Sequence, residues 1–261
     1  MEFLRQIFLA VLVLCWLPRT GLALPEGWDG VISGGITSPL VTSEADEENL
    51  SGELIFQLSR TWDLSEKWSV QTLGVLQFKR ETAERDFNLT NKGTVGAIIR
   101  YQFECCGAVS SGLRYTYEKQ VSSGLETTGL QFGFDHAVWK KVAGEWSAPR
   151  VVSGWSNIRF SGSLGGEFGD WVAQGRYEIS QGLEARPFKA KPSIYSGVGF
   201  TLDREGLSYN NKLVLDVGAR LSWVIGETSV SLDIRLLRDR RFKSDELFVG
   251  RQIRLGFRRV F

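Results

Sequence analysis

Leu247-Phe248-Val249-Gly250-Arg251-Gln252-Ile253-Arg254-Leu255-Gly256-Phe257-Arg258-Arg259-Val260-Phe261 closes the chain, and its alternation decides how the rest is read. In an extended strand successive side chains point to opposite faces, so Leu247, Val249, Ile253, Leu255, Phe257 and Phe261 share one side. Gly250, Gln252, Arg254, Gly256 and Arg258 share the other, and Arg251 and Arg259 interrupt the apolar side. The apolar face is long, and the face behind it carries arginine and glycine instead of a second packing layer. Lipid on one side and water on the other accounts for both.

The same pattern extends back through the chain. From Trp28 on, eight to fourteen residues of alternation are followed by a cluster of Gly, Asn, Asp, Ser or Pro, again and again. These windows fall near 28–38, 50–62, 68–79, 93–104, 107–118, 127–139, 151–161, 170–180, 193–203, 211–224, 228–238 and 246–261. In the clearest of them Leu213, Leu215, Val217, Ala219, Leu221 and Trp223 alternate with Lys212, Asp216, Gly218, Arg220 and Ser222. The next sets Val230, Leu232, Ile234 and Leu236 against Ser229, Ser231, Asp233 and Arg235. Such stripes match the roughly nine to eleven residues that a tilted membrane strand needs. The fold expected is all-β: a single antiparallel transmembrane barrel of about twelve strands, within a range of about ten to fourteen. The range is open because 141–150 and 182–192 are long where short turns are expected.

Composition agrees. The 29 Gly, 16 Phe and 9 Trp, with one His and one Met, suit strands and turns better than a helical enzyme. After the N-terminus no apolar run reaches the roughly eighteen residues of a membrane helix, which leaves a closed barrel as the spanning structure. At the N-terminus Arg5, the apolar run Ile7 to Leu17, Pro18 and the small-residue site Gly21-Leu22-Ala23 read as a cleavable secretory signal over 1–23, with the barrel over 24–261. A short buried helix is the plainer alternative, but the run stops abruptly before Leu24-Pro25-Glu26-Gly27. Losing the leader removes two of 31 basic and one of 30 acidic side chains, leaving 29 of each. A neutral chain has no pull toward nucleic acid.

An even strand count puts both ends on one side, the periplasmic side in such barrels, and Trp28, Trp62, Trp68, Trp139 and Trp223 all fall at strand ends assigned there. Indole prefers the headgroup level, so these are expected to form an aromatic girdle. Core aromatics of a soluble sandwich would be scattered along the strands instead.

The polar positions predict a lumen of both signs. Arg100, Arg114, Arg159, Arg176, Arg220, Arg235, Arg254 and Arg258 stand against Glu53, Glu104, Glu118, Asp135, Glu178, Asp203, Asp216 and Asp233. Two readings stay open: opposite charges pair across strands and plug the barrel, or arginines on neighbouring strands form a ladder for carboxylates or phosphates of a passing polymer.

Nothing suggests catalysis, a metal or a cofactor. His136 lies in register with outward Phe132, Phe134 and Val138, without a serine beside it, and reads as an interfacial side chain. Cys105-Cys106 are adjacent and cannot staple distant strands; free thiols or a local redox pair both remain open. Outside, the acidic run Glu44, Asp46, Glu47, Glu48 reads as a solvated loop, with a divalent cation bridging it to lipopolysaccharide phosphates as the alternative, while Arg238-Asp239-Arg240-Arg241 could hold those phosphates directly.

The aromatic end resembles that of bacterial outer-membrane β-barrel proteins, whose last strand is read by the barrel-assembly machinery; Phe261 stands at that position, and Arg259 departs from the usual apolar residue. Tyr177 to Gly182, Lys191-Pro192-Ser193-Ile194-Tyr195 and Leu213 to Trp223 resemble the C-terminal barrel region of NfrA-type phage-adsorption receptors and related exopolysaccharide-secretion proteins. That resemblance implies glycan secretion or a phage-exposed surface, with no catalytic residues to carry over. The expectation is an outer-membrane barrel, in contact with lipid and lipopolysaccharide, that passes an acidic saccharide. The alternative is a closed structural barrel serving as an adhesion or phage-binding surface. The sequence leaves the oligomeric state undetermined.

Overall fold

The structure is a computed structural model that describes residues 24–41, 50–82, 89–104, 106–143, 152–166, 171–183, 190–204, 211–244 and 247–261. The expected leader over 1–23, the acidic run within 43–49 and Cys105 lie outside the described residues.

The strands are β1 (Trp28–Val41), β2 (Ser51–Asp63), β3 (Trp68–Glu81), β4 (Thr90–Phe103), β5 (Gly107–Gln120), β6 (Glu126–Ala143), β7 (Val152–Gly166), β8 (Trp171–Gly182), β9 (Lys191–Asp203), β10 (Lys212–Ile225), β11 (Thr228–Arg241) and β12 (Leu247–Val260). Each pairs antiparallel with its chain neighbours, and β1 pairs with β12 to close the barrel. The pairing order closes with these twelve strands, while most of the long connections after β6 and β8 lies outside the described residues. Most strands outrun their apolar stripes, because backbone pairing continues above the band where alternation stops: β11 reaches Arg241 and β3 reaches Glu81.

Register fixes which side chains share a face. On β10 and β11, Val217 faces Leu236, Ala219 faces Ile234 and Leu221 faces Leu232, while Arg220 faces Asp233 on the opposite side. At the closing seam Ile32, Gly34 and Ile36 align with Arg259, Phe257 and Leu255. The hairpin between Ile225 and Thr228 is tight, and Gly226 takes a φ of 61° there, a conformation that L side chains disfavour.

The burial is inverted relative to a water-soluble domain. The buried apolar set is Ile32, Ala108, Ala190, Tyr195 and Phe257, whereas Leu76, Val95, Tyr115, Leu215, Val217, Ile234, Leu236 and Val249 stand exposed on the outer face. Leaving such a side chain in water forgoes roughly 1.5–3 kcal/mol, so a continuous outer band of them calls for hydrocarbon.

Trp28, Trp62, Trp68 and Trp223 face outward at the barrel end that carries both termini, beside Tyr101 and Phe103. Trp139 does not join them. Phe132, Phe134 and Val138 hold the outward parity on β6, which turns Trp139 to the inner face, opposite Trp155 of β7. Arg259 keeps outward parity yet is buried, its guanidinium over the Phe261 ring at 5.1 Å.

Candidate lumenal binding site

Antiparallel pairing brings the inner faces of β8 to β12 into one wall. Glu178 on β8 is level with Gly197 on β9 and Asp216 on β10; Ser180, Tyr195 and Gly218 form the next row. The glycines decide what can meet. A Cβ at Gly197 would stand 2.5 Å from Asp216 Oδ1 and 2.8 Å from Arg176 Nη2, so Arg176 reaches Asp216 across β9 only because position 197 has no side chain. A Cβ at Gly218 would sit 2.7 Å from the Tyr195 ring, so Gly218 lets that ring lie flat on the wall.

The result is a network running across four strands. Arg176 Nη2 donates to Glu178 Oε2 and Asp216 Oδ2, each at 2.9 Å. Arg220 Nη1 donates to Glu178 Oε1 at 3.1 Å, and its Nε to Asp233 Oδ1 at 2.5 Å. Arg235 lies 3.8 Å from Asp216 Oδ2 and donates to Gln252 Oε1 on β12 from Nε at 3.0 Å and Nη2 at 2.7 Å. Arg220 also lies over Tyr195 at 4.6 Å, and Arg176 over Trp155 at 5.9 Å.

Both charges are present, but they are layered. The Glu178, Asp216 and Asp233 side chains are 3%, 1% and 9% exposed, against 28%, 32% and 26% for Arg176, Arg220 and Arg235. The carboxylates lie against the wall; the guanidiniums cover them and turn their free edges to the lumen. A guanidinium has five N–H donors in a fixed fork, so one already held by carboxylates still presents donors to an incoming anion.

Arg254 and Arg258, on the inner face of β12, are exposed and make no ion pair among the described residues. Arg254 borders three cavities. One of about 300 Å³ holds the Arg176–Glu178–Arg220–Asp233 network with Trp155 and Tyr195. One of about 360 Å³ is lined by Ser222, Ser229, Ser231 and Arg258. A third of about 360 Å³ runs along Thr37, Glu53 and Lys79.

The remaining charged positions do not join this wall. Arg114 and Arg159 share Asp135, at 3.6 Å and 2.7 Å, in a separate cluster on β5 to β7. Glu118 pairs with Lys92 at 3.3 Å, and Glu53 with Lys79 at 3.9 Å. Arg100 donates to Gln102 at 3.2 Å and, among the described residues, meets no carboxylate. Glu104 lies beyond the strand, in a turn, paired with Lys67. Asp203 sits at the end of β9, where Asn211 Nδ2 donates to its Oδ1 at 3.0 Å. A ladder spanning the whole expected set is therefore not what the fold builds; it concentrates Arg176, Arg220, Arg235, Arg254 and Arg258 on one wall. Sequence reasoning missed Tyr195, Trp155, Gln252 and Lys92, although all have inward parity. Tyr195, Trp155 and Gln252 carry no charge to mark them, and Lys92 stands apart from the arginine pattern.

His136 faces outward between Val109 and Ile158, with the Phe103 ring edge-on at 6.1 Å and, among the described residues, no paired nucleophile. Among the described residues no group of three or more His, Cys, Asp or Glu could hold a metal.

An apolar exterior, a closed antiparallel sheet and a charged lumen define a transmembrane β-barrel. No family model and no curated protein matches the chain. Solved structures do resemble it. The β domain of the Bordetella autotransporter BrkA superposes with a TM-score of 0.51 at 13% identity, covering 89% of this chain and 99% of that one. An outer-membrane channel from Pseudomonas putida F1 gives a TM-score of 0.52, also at 13% identity, over 94% of this chain and 99% of that one. The chain thus has the fold of bacterial outer-membrane β-barrels. The finer resemblance to NfrA-type proteins gains nothing from these comparisons.

Proposed function

We propose that the protein is an outer-membrane channel that binds and passes an acidic saccharide along the β8–β12 wall. One observation carries the reading: the carboxylates of that wall are buried behind guanidiniums, so a chain with near-zero net charge shows a cationic face to its lumen. Fixed donors at successive heights suit a polymer with repeated carboxylates or phosphates, which can move from one guanidinium to the next. The Trp155 ring, 37% exposed, adds flat apolar surface for a sugar ring, while Tyr195 lies beneath Arg220 and supports that guanidinium. One structural relative is itself described as an outer-membrane channel, which fits. Trp28, Trp62, Trp68 and Trp223 would mark the periplasmic headgroup level, and Phe261 the signal met by the assembly machinery.

The ion pairs across β8 to β11 also brace the wall, which favours a second reading: a closed barrel whose loops serve as an adhesion or phage-binding surface. Planar-bilayer recordings separate the two. The channel reading expects steady conductance that an oligogalacturonate blocks and a neutral glucan oligomer of equal length does not. Silent bilayers, or equal block by both oligomers, would transfer support to the structural barrel.

A further inference from the structure

At the barrel end away from the termini, the outer face carries a second cationic feature unrelated to the lumen. Ile234 and Leu236 point outward on β11, and Arg238 and Arg240 continue that face. On β12, Val249 points outward, and Arg251 shares its parity. Leu236 is opposite Arg251, Arg238 opposite Val249 and Arg240 opposite Leu247. Arg238 and Arg251 are therefore diagonal neighbours on one face, at a separation that long side chains close easily.

Among the described residues no carboxylate pairs with Arg238 or Arg251. Asp239, the acid between the arginines, has inward parity, and its carboxylate lies 3.6 Å from Lys212 Nζ. Arg238 and Arg251 are exposed. The opposite end is built differently: outward Arg60 lies over the Trp62 ring at 5.3 Å.

Height supplies the second argument. Arg238 is level with Leu215, eight residues along β10 from outward Trp223, and Arg240 is level with Leu213, ten residues away. At about 3.3 Å per residue and a tilt of about 40°, these are roughly 20 Å and 25 Å above the tryptophan level. The apolar band of such barrels is about 25 Å tall. Arg240 thus stands where hydrocarbon gives way to the headgroups of the far leaflet; Arg238 lies a few ångström below it, and Arg251, opposite Leu236 and so level with Val217, lies roughly 15 Å up and reaches that boundary by extending its long side chain along the wall.

We propose that Arg238 and Arg251, supported by Arg240, clamp a phosphate of lipopolysaccharide in the outer leaflet. A guanidinium binds a phosphate through two parallel N–H···O bonds, and two forks converging from adjacent strands can hold one phosphate from two sides. Phosphatidylethanolamine carries its own ammonium beside its phosphate and so gains less. The inference requires outer-membrane placement but is independent of what passes the lumen.

The test uses the full-length barrel, folded in detergent and stripped of lipid, with its heat-induced conversion on gels as readout. Bisphosphorylated lipid A should raise the conversion temperature by several degrees, and dephosphorylated lipid A or inorganic phosphate should not. Arg238→Gln/Arg251→Gln should need about tenfold more lipid A for the same shift, while Arg60→Gln responds as the native chain does. A double variant that responds like the native protein would overturn the clamp, as would equal shifts from the dephosphorylated lipid or from inorganic phosphate alone. The two wild-type comparisons can still overturn the clamp even if the double variant fails to fold.

Discussion

Arg176 on β8 passes over Gly197 on β9 and places Nη2 2.9 Å from Asp216 Oδ2 on β10. This contact spans three strands, and an absent side chain makes it possible. Gly197→Ala should therefore part the pair and lower the temperature of heat-induced conversion, corresponding to about 1–3 kcal/mol. Gly199→Ala is the control, because a Cβ there finds its nearest neighbour, Gly175 O, at 3.5 Å. Equal conversion temperatures for the two variants would show that the Arg176–Asp216 contact contributes nothing.

Asp216 serves two guanidiniums, those of Arg176 and Arg235. Asp216→Asn removes the charge with little change of shape and leaves both cations partly uncompensated. Because these arginines are 28% and 26% exposed, solvent screens part of the loss, and a cost of about 1–2 kcal/mol is expected instead of the larger penalty of a fully buried pair. The reversal potential under a salt gradient should move toward stronger anion preference. An unchanged reversal potential would mean that ions do not pass this wall.

Phe261 forms the last rung of the closing seam. Its N–H donates to Gly30 O at 2.9 Å, and its ring would lie 3.4 Å from a Cβ at Gly30. Deleting Phe261 should reduce folded barrel in the outer membrane more than Phe248→Ala, since position 248 lies at the far end of β12 from the last rung of the seam. Surface abundance measured by protease protection checks this, and equal yields would count against the seam role.

The strand plan was legible because the side-chain period of two survives in every window between Trp28 and Phe261. The boundaries shifted where backbone pairing outlasts the apolar stripe: the window 228–238 became Thr228–Arg241. Trp139 stands near a strand end like the other four tryptophans, but its parity with Asp135 turns it inward, so nearness to the end alone does not mark the girdle. The inner face could be listed by parity, but its pairing could not. Whether Glu178 meets Arg176 or Arg220 depends on stagger across β8, β9 and β10 and on the missing side chain at Gly197, neither of which a single strand reveals. Likewise it is the β4–β5 register that sets Glu118 beside Lys92.

Arg254 and Arg258 test the account most directly, because among the described residues neither is tied into an ion pair whose loss would disturb the wall. Arg254→Glu/Arg258→Glu should fold, shown by unchanged heat-induced conversion, and reverse the sign of the inner surface beside Ser229 and Ser231. The decisive measurement is block of single-channel current by an oligogalacturonate in the native and doubly substituted barrels. The account predicts concentration-dependent block of the native channel, with an apparent affinity at least about tenfold weaker in the variant. Equal block in both barrels, or a native barrel that conducts without being blocked, would contradict it.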